Sequence, residues 1–494
     1  MTLTPAMTAL RDRARRYVPG ALLPSPLSEA DLRHLVRRLT WGEAPGLLAE
    51  VRRDPQGWLE AQLDPTSVED GACEGWVRRF DRLSWPVQRV RTTGSFGNWD
   101  TMFQLSQATT ARYAWSRRQL LEVMCDFWSN HLNITCPSSE VWDNRHDFDT
   151  AVVRKHALGS FADMLAASAR HPAMLRYLDN ASSTKAAPNE NYARELMELH
   201  TVGVGAGYGE AGVRAVARVL TGATASWETG AYWYDAGRHD TGAASVLGWS
   251  TPAHSAAAGE AVQADLVHYL ALHPATARNV ARKLCVRFVS DDPPAALVEA
   301  LATTYLAQGS AVVPVLRQLF ASPEFWASAG AKTRRPLEGF LAVVRMIGST
   351  PGAEGLGGMD DLYWMSRDLG HAPLDWAPPN GYPDVAGAWS SAGAAMRRWN
   401  KTTEVVNGWW PSKLVRPAER GLLPAALPAT YGQLVDGLVS RLLGRGPTGT
   451  ERAALLEMCG RSEGAALRSG DEWVTWHLNT LVQTVLQSPG HMER

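Results

Sequence analysis

The sequence predicts a mainly α fold: a large irregular helical bundle carrying one small β-hairpin and a Pro/Gly-rich loop. Three observations lead there. Apolar residues recur at helical spacing, behind recognisable start signals, from Ser28 to Ser488. Strand-type alternation is confined to one stretch, Ser226 to Trp249. The run from Asp375 to Trp389 holds Pro378, Pro379, Gly381 and Pro383, which neither a helix nor a central strand accommodates.

Ser28 is placed to cap the first helix, with Asp31 three residues on and Leu32, Leu35, Val36 and Leu39 as its apolar face. Helices over Pro45–Arg53 and Pro55–Leu63 follow. A long helix is predicted from Thr101 to Asn130. Leu120, Met124, Phe127, Trp128 and His131 share its apolar face, so His131 points inward. A lone inward histidine is more often a hydrogen-bonded core residue than a ligand. Asp143, His146, Asp147 and Asp149 could coordinate an ion by composition, but Asp143 and His146 have no apolar face around them, so Cys136 to Asp149 reads as a solvated loop. Further helices run to Arg170, from Pro172 to Leu178 and from Glu210 to Thr221. After the hairpin come two helices broken at Pro274, one beyond Pro293-Pro294, one from the Arg335-Pro336 step, and the last three over Thr430–Leu443, Glu451–Met458 and Asp471–Ser488.

Composition narrows the function classes. Of 494 residues, 45% are hydrophobic, enough for a large core. Lysines and arginines number 49 and acids 50, so no bulk field draws nucleic acid or a membrane surface. The five cysteines include no C-x-x-C pair, which points away from a zinc knuckle and from a disulfide framework. The N-terminal stretch lacks an apolar signal core and no run is long enough to span a bilayer, so the expected location is cytoplasmic. Residues 1–27 read as an arm, and residues 28–494 as a single helical domain.

The densest stretch in functional groups is Tyr177 to Val204. On a helical wheel of about 100° per residue, Tyr192, Leu196, Leu199 and Gly203 form a core stripe. Asn191, Glu195 and Glu198 lie within about 60° of one another along one edge of it. Two carboxylates and an amide at the border of a core need a cation or donors. The competing reading is a helix edge tied by ion pairs, since Glu190, Arg194 and Glu198 are spaced four apart.

N-E-N-Y-A-R-E-L-M-E-L-H-T-V-G (189–203), with Y-L-D-N ahead and R-A-V-A-R-V-L-T-G after, resembles the large bacterial family catalogued as domain of unknown function 1800. Arg37, Arg38, Trp41 and Gly42 match its opening motif, and Phe127 to His131 its F-W-x-x-H motif. His239-Asp240 matches its H-D-x-G-x-K motif, with Ala244 where the family has lysine. The resemblance implies a helical fold and a motif set rather than a reaction. It also implies a protein partner, because the family often accompanies one related to phosphatase and sulfatase folds. Many members look exported, and this chain departs from that habit.

No nucleophile elbow, H-E-x-x-H helix, P-loop or E-x-x-H pair is present in a fitting context. Gly203 to Gly209 follows a helix and reads as a cap and turn rather than a dinucleotide loop. What remains is distributed. His131, Glu195, His239 and Asp240 are the residue types of a mixed N/O site for Fe, Mn or Zn. Glu195, Glu198 and His131 are the candidate catalytic groups, able to act as acid or base even without metal. Asn191, Arg194 and Trp128, with Asn380, Tyr382 and Asp384 of the Pro-rich loop, are candidate substrate contacts. His200 falls about 180° from Asn191, away from this edge. The leading expectation is a metal-dependent redox or hydrolytic enzyme acting on a small molecule or peptide. The alternative is a non-catalytic helical binding or assembly protein; a haem protein is the weaker third.

Overall fold

The computed structural model describes residues 23–24, 26–93, 97–417, 423 and 426–494. The expected arm over residues 1–27 lies largely outside them. Helices dominate, and most buried apolar side chains from Leu32 to Leu486 form one contiguous cluster between them, with a smaller one around Phe80, Ala108 and Met359. Glu29–Leu39 begins with a reciprocal cap. Ser28 Oγ accepts from Asp31 N at 3.2 Å, and Ser28 N donates to the Asp31 carboxylate at 2.8 Å. Its Leu32, Leu35, Val36 and Leu39 stripe is buried. Pro55–Leu63, Pro172–Tyr177 and Pro274–Phe288 start at their prolines, as expected. Among the described residues, no helix is long and apolar enough to cross a membrane.

Four local expectations are corrected. The predicted Thr101–Asn130 helix is two helices, Asp100–Trp115 and Gln119–His131. At the break the Asp70 carboxylate accepts from Ser116 Oγ at 2.7 Å and from Arg117 N at 2.8 Å, so the Arg117 N–H goes to a side chain rather than to the helical ladder. The Cys136–Asp149 segment is solvated only at Ser139, Glu140 and Asp147. Asp143, Asn144 and Arg145 are fully buried, and His146 and Asp149 nearly so. Arg91 and Arg176 both donate to the Asp143 carboxylate, and Arg145 Nε donates to Ile134 O at 3.1 Å. The single hairpin is two antiparallel strand pairs: β1 (Ala223–Ala225) with β2 (Tyr232–Tyr234), and β3 (Ala244–Val246) with β4 (Trp249–Thr251). Their registers pair Ala223 with Tyr234 and Ala244 with Thr251. Finally, the central helix is α-helical only over Glu190–Glu195 and continues as a π-turn over Leu196–His200. The i→i+5 bonding shifts the wheel, so Met197 and His200 join Tyr192 and Leu196 in the core while Leu199 is only half-buried.

The Pro-rich loop docks on the end of Gln119–His131. Tyr382 N donates to Asn130 Oδ1 at 2.9 Å, and Asn133 Nδ2 donates to the carbonyls of Trp376 and Pro378 at 2.8 and 2.7 Å. Gly381 sits at φ +68°, where an added Cβ would lie 2.2 Å from Asn130 O. Both the backbone angle and the contact exclude a side chain. Gly381→Ala is therefore expected to destabilise the protein by about 2 kcal/mol, read as a lower urea midpoint. An unchanged midpoint would mean the loop is not held against Asn130.

Beneath the loop lies a buried ionic network. Glu338, 3% exposed, accepts from Arg287, Arg335 and Arg494. Arg335 also reaches Asp126 at 2.7 Å. Lys332 and Arg287 hold Asp384 at 3.2 and 3.4 Å. Burial alone pushes the Asp384 carboxyl up, but Arg335, Arg287 and Lys332 together bring it down to about 2.

Candidate functional site

Asn189 begins the central helix, its side chain accepting from Asn191 N at 2.9 Å. On the solvent side of this helix Arg194 gathers acids. It donates to Glu210 at 2.8 and 3.0 Å, to Glu190 at 3.3 Å and to Glu198 at 3.5 Å. The expected ion-paired edge is thus real, with Glu210 added from the next helix. Glu195 stands apart. It is half-buried and makes no hydrogen bond or ion pair among the described residues. Burial raises its carboxyl above the usual range, the Glu198 charge raises it further, and Arg194 only partly opposes them. Tyr177 lies close enough that Glu195 adds to the burial that pushes its phenol up to about 12. The Tyr177 hydroxyl donates to Ala377 O at 2.6 Å. Tyr177 therefore links the Glu195 edge to the start of the Pro-rich loop, two stretches about two hundred positions apart in sequence.

The far end of the central helix leaves carbonyls without helical partners, and side chains satisfy them. Lys283 Nζ donates to Leu199 O at 3.1 Å and to His131 Nδ1 at 3.0 Å. His131 Nε2 lies 3.0 Å from His200 O. A carbonyl only accepts, so Nε2 carries the proton and Nδ1 takes the lysine's. Thr201 Oγ1 donates to Leu196 O at 2.6 Å and Asn279 Nδ2 to Thr201 O at 2.7 Å. His131 is thus a core cap, ringed by Trp128 and Phe161, with both nitrogens engaged and none left for a metal or a haem iron. Burial lowers Lys283 to about 8. His200 is fully buried with neither ring nitrogen bonded, and burial followed by the Lys283 charge lowers it to about 3.

A depressed histidine makes stability depend on acid. His200 is neutral when folded and titrates at its ordinary 6.5 when unfolded. Its contribution is fully present above 6.5 and is lost as the pH falls toward about 3. The urea midpoint should therefore fall between pH 7 and 5. It should fall less steeply in His200→Phe, which keeps ring volume and removes the titration. Parallel slopes in the two proteins would contradict this assignment.

The other expected residues lie as follows. Asn191 is exposed and donates to Asp179 at 3.1 Å. Trp128 is a core side chain rather than a substrate contact: it is fully buried, and its indole N–H donates to Ala157 O at 2.9 Å. Asn380 is exposed and accepts from the Trp376 indole at 2.9 Å. The Tyr382 ring is buried against His371 and Trp376. Asp384 belongs to the ionic network. Asp240 is held by Arg218 at 2.9 and 3.2 Å. His239 is buried between Thr221 O and His254. Among the described residues, no three His, Cys, Asp or Glu side chains are gathered so as to hold a metal ion. His131, Glu195, His239 and Asp240 are accordingly not one donor set. A groove of about 750 Å³, lined by Trp58, Gln62, Trp115, Gln119 and Arg345, contains none of the expected residues.

Sequence reasoning passed over Lys283, His254 and Tyr177. A signal for Lys283 existed, because Asn279, Lys283 and Arg287 form an i, i+4, i+8 stripe beside buried Val280, Leu284 and Phe288. Tyr177 opens the Y-L-D-N motif, but its partner Ala377 is remote in sequence.

No curated protein and no solved structure matches the chain. The family model described as "Protein of unknown function (DUF1800)" matches residues 34–492. The chain therefore belongs to the DUF1800 family.

Proposed function

We propose that this protein is an enzyme that moves a proton on a small-molecule or peptide substrate, with Glu195 as the general acid or base. One observation carries the reading. Within a cluster of acids tied to Arg194, Glu195 alone is left without a partner, half-buried and with a raised pKa. A carboxyl tuned upward toward neutrality is what proton transfer needs, and such groups concentrate at functional sites. Glu198 supplies the charge that raises it, and Arg194 fixes Glu198. The exposed Asn380 edge of the loop offers an amide donor to a bound substrate, and the Tyr177 hydroxyl, its proton given to Ala377 O, offers an acceptor. A metal-assisted version, with Fe, Mn or Zn, would draw on Glu195 and Glu198 with water, since His131 and Asp240 are engaged elsewhere.

The test is turnover of a panel of nitrophenyl esters, anilides and glycosides by the purified protein. Glu195→Gln should lower turnover by about 100-fold or more while leaving the thermal midpoint intact. Turnover unaffected by Glu195→Gln, or none above that of heat-denatured protein, would overturn the proposal. A binding or assembly role is the second reading. It is favoured by exposed Met396 and Trp399 beside a cavity of about 410 Å³, and by exposed Trp409 and Trp410. Absence of turnover together with a defined stoichiometric complex would favour it.

A further inference from the structure

The pair formed by His239, between β2 and β3, and His254, after β4, carries a constraint that protein atoms alone do not resolve. His239 Nδ1 lies 2.8 Å from Thr221 O, a carbonyl that also accepts from Gln263 Nε2 at 2.7 Å. His254 Nδ1 lies 3.0 Å from Pro252 O. Both carbonyls can only accept, so both Nδ1 atoms must carry protons. Each neutral ring then has a lone pair at Nε2, yet the two Nε2 atoms face each other at 2.9 Å. Two lone pairs at that distance repel. The contact is favourable only with an electrophile between them, either a proton or a metal ion.

We propose that His239 and His254 form a two-imidazole site for a divalent transition metal of the Zn(II) or Cu(II) type, bound through both Nε2 atoms. Donation of Nδ1–H to a backbone carbonyl is the outer-shell pattern that orients ligating imidazoles and makes them more basic. Tetrahedral zinc at about 2.0–2.1 Å from each nitrogen sets the nitrogens about 3.3 Å apart. The pair must open by only a few tenths of an ångström. His254, part-exposed on the chain after β4, can supply that movement while its own N–H stays on Thr241 O at 3.0 Å. His239 is buried and fixed. A Cβ on Gly259 would sit 2.4 Å from its Nε2, so a glycine is needed where the Gly259–Ala271 helix begins beside the pair. The nearest acid in sequence, Asp240, is neutralised by Arg218 and does not compete. The remaining coordination positions fall to water or an anionic ligand, which the neighbouring helix start favours. This site is separate from Glu195 and does not depend on the acid–base proposal.

Equilibrium dialysis of the chelator-treated full chain against zinc chloride tests it. Wild-type protein should take up one more equivalent than His254→Ala, whose residual binding should be at least about tenfold weaker. In the wild type, zinc should also protect His254 from diethyl pyrocarbonate, a readout that needs no variant. Equal uptake by both proteins, with no protection, would overturn the metal site. So would ¹⁵N spectra showing one imidazolium shared by the pair and unchanged by zinc.

Discussion

Glu338→Gln is expected to lower stability by about 3–5 kcal/mol. The carboxylate is buried and accepts from Arg287, Arg335 and Arg494. Burial by itself would raise its pKa, yet Arg335, Arg494 and Arg287 together hold it well below the usual range. Removing that charge leaves three guanidinium groups facing one another in a low-dielectric region, where repulsion is weakly screened. Asp126 and Asp384 neutralise part of the excess but are not positioned to replace it. The same network supports Lys332 and the Pro-rich loop at Asp384, so the loop should loosen with it. Urea unfolding with Asp291→Asn as a comparison separates the core from the rim, because Asp291 is about one-third exposed. A loss below about 1 kcal/mol for Glu338→Gln would show that its charge is dispensable.

His131→Ala should follow, with a loss of about 3 kcal/mol. It removes a buried ring packed against Trp128 and Phe161, frees His200 O, and strands Lys283 with one acceptor. The expectation separates two roles that the sequence left open. A histidine that served as a ligand or proton carrier would lose activity with the fold preserved. A cap should instead take the Leu196–His200 turn with it, seen as faster amide exchange at Gly203, whose N–H donates to Met197 O at 2.9 Å.

How much of this was legible follows from where each group's partner lies. Ser28 and Asp31 are three positions apart, and Pro172 and Pro274 act on their own helices, so those elements were readable locally. The Arg194 ion pairs were readable for the same reason. Asp143 was misread because its partners, Arg91 and Arg176, sit in other elements, and no local pattern announces them. The wheel put Glu195 at the edge of the core, where it is half-buried, and lost phase from Leu196, where the turn becomes π and Leu199 leaves the core stripe. The gathering of His131, Glu195, His239 and Asp240 was an inference from residue types. His131, His239 and Asp240 instead meet Lys283, His254 and Arg218 separately, and Glu195 meets none of them.

The most direct measurement concerns the ionisation of Glu195 itself. Esterification by a water-soluble diazo reagent proceeds through the protonated carboxyl, and peptide mass spectrometry resolves its pH dependence at each glutamate. Glu195 should titrate above the ordinary 4.5, while Glu210, paired with Arg194, should titrate below it. A Glu195 midpoint at or below that of Glu210 would remove the physical basis for proton transfer at this site.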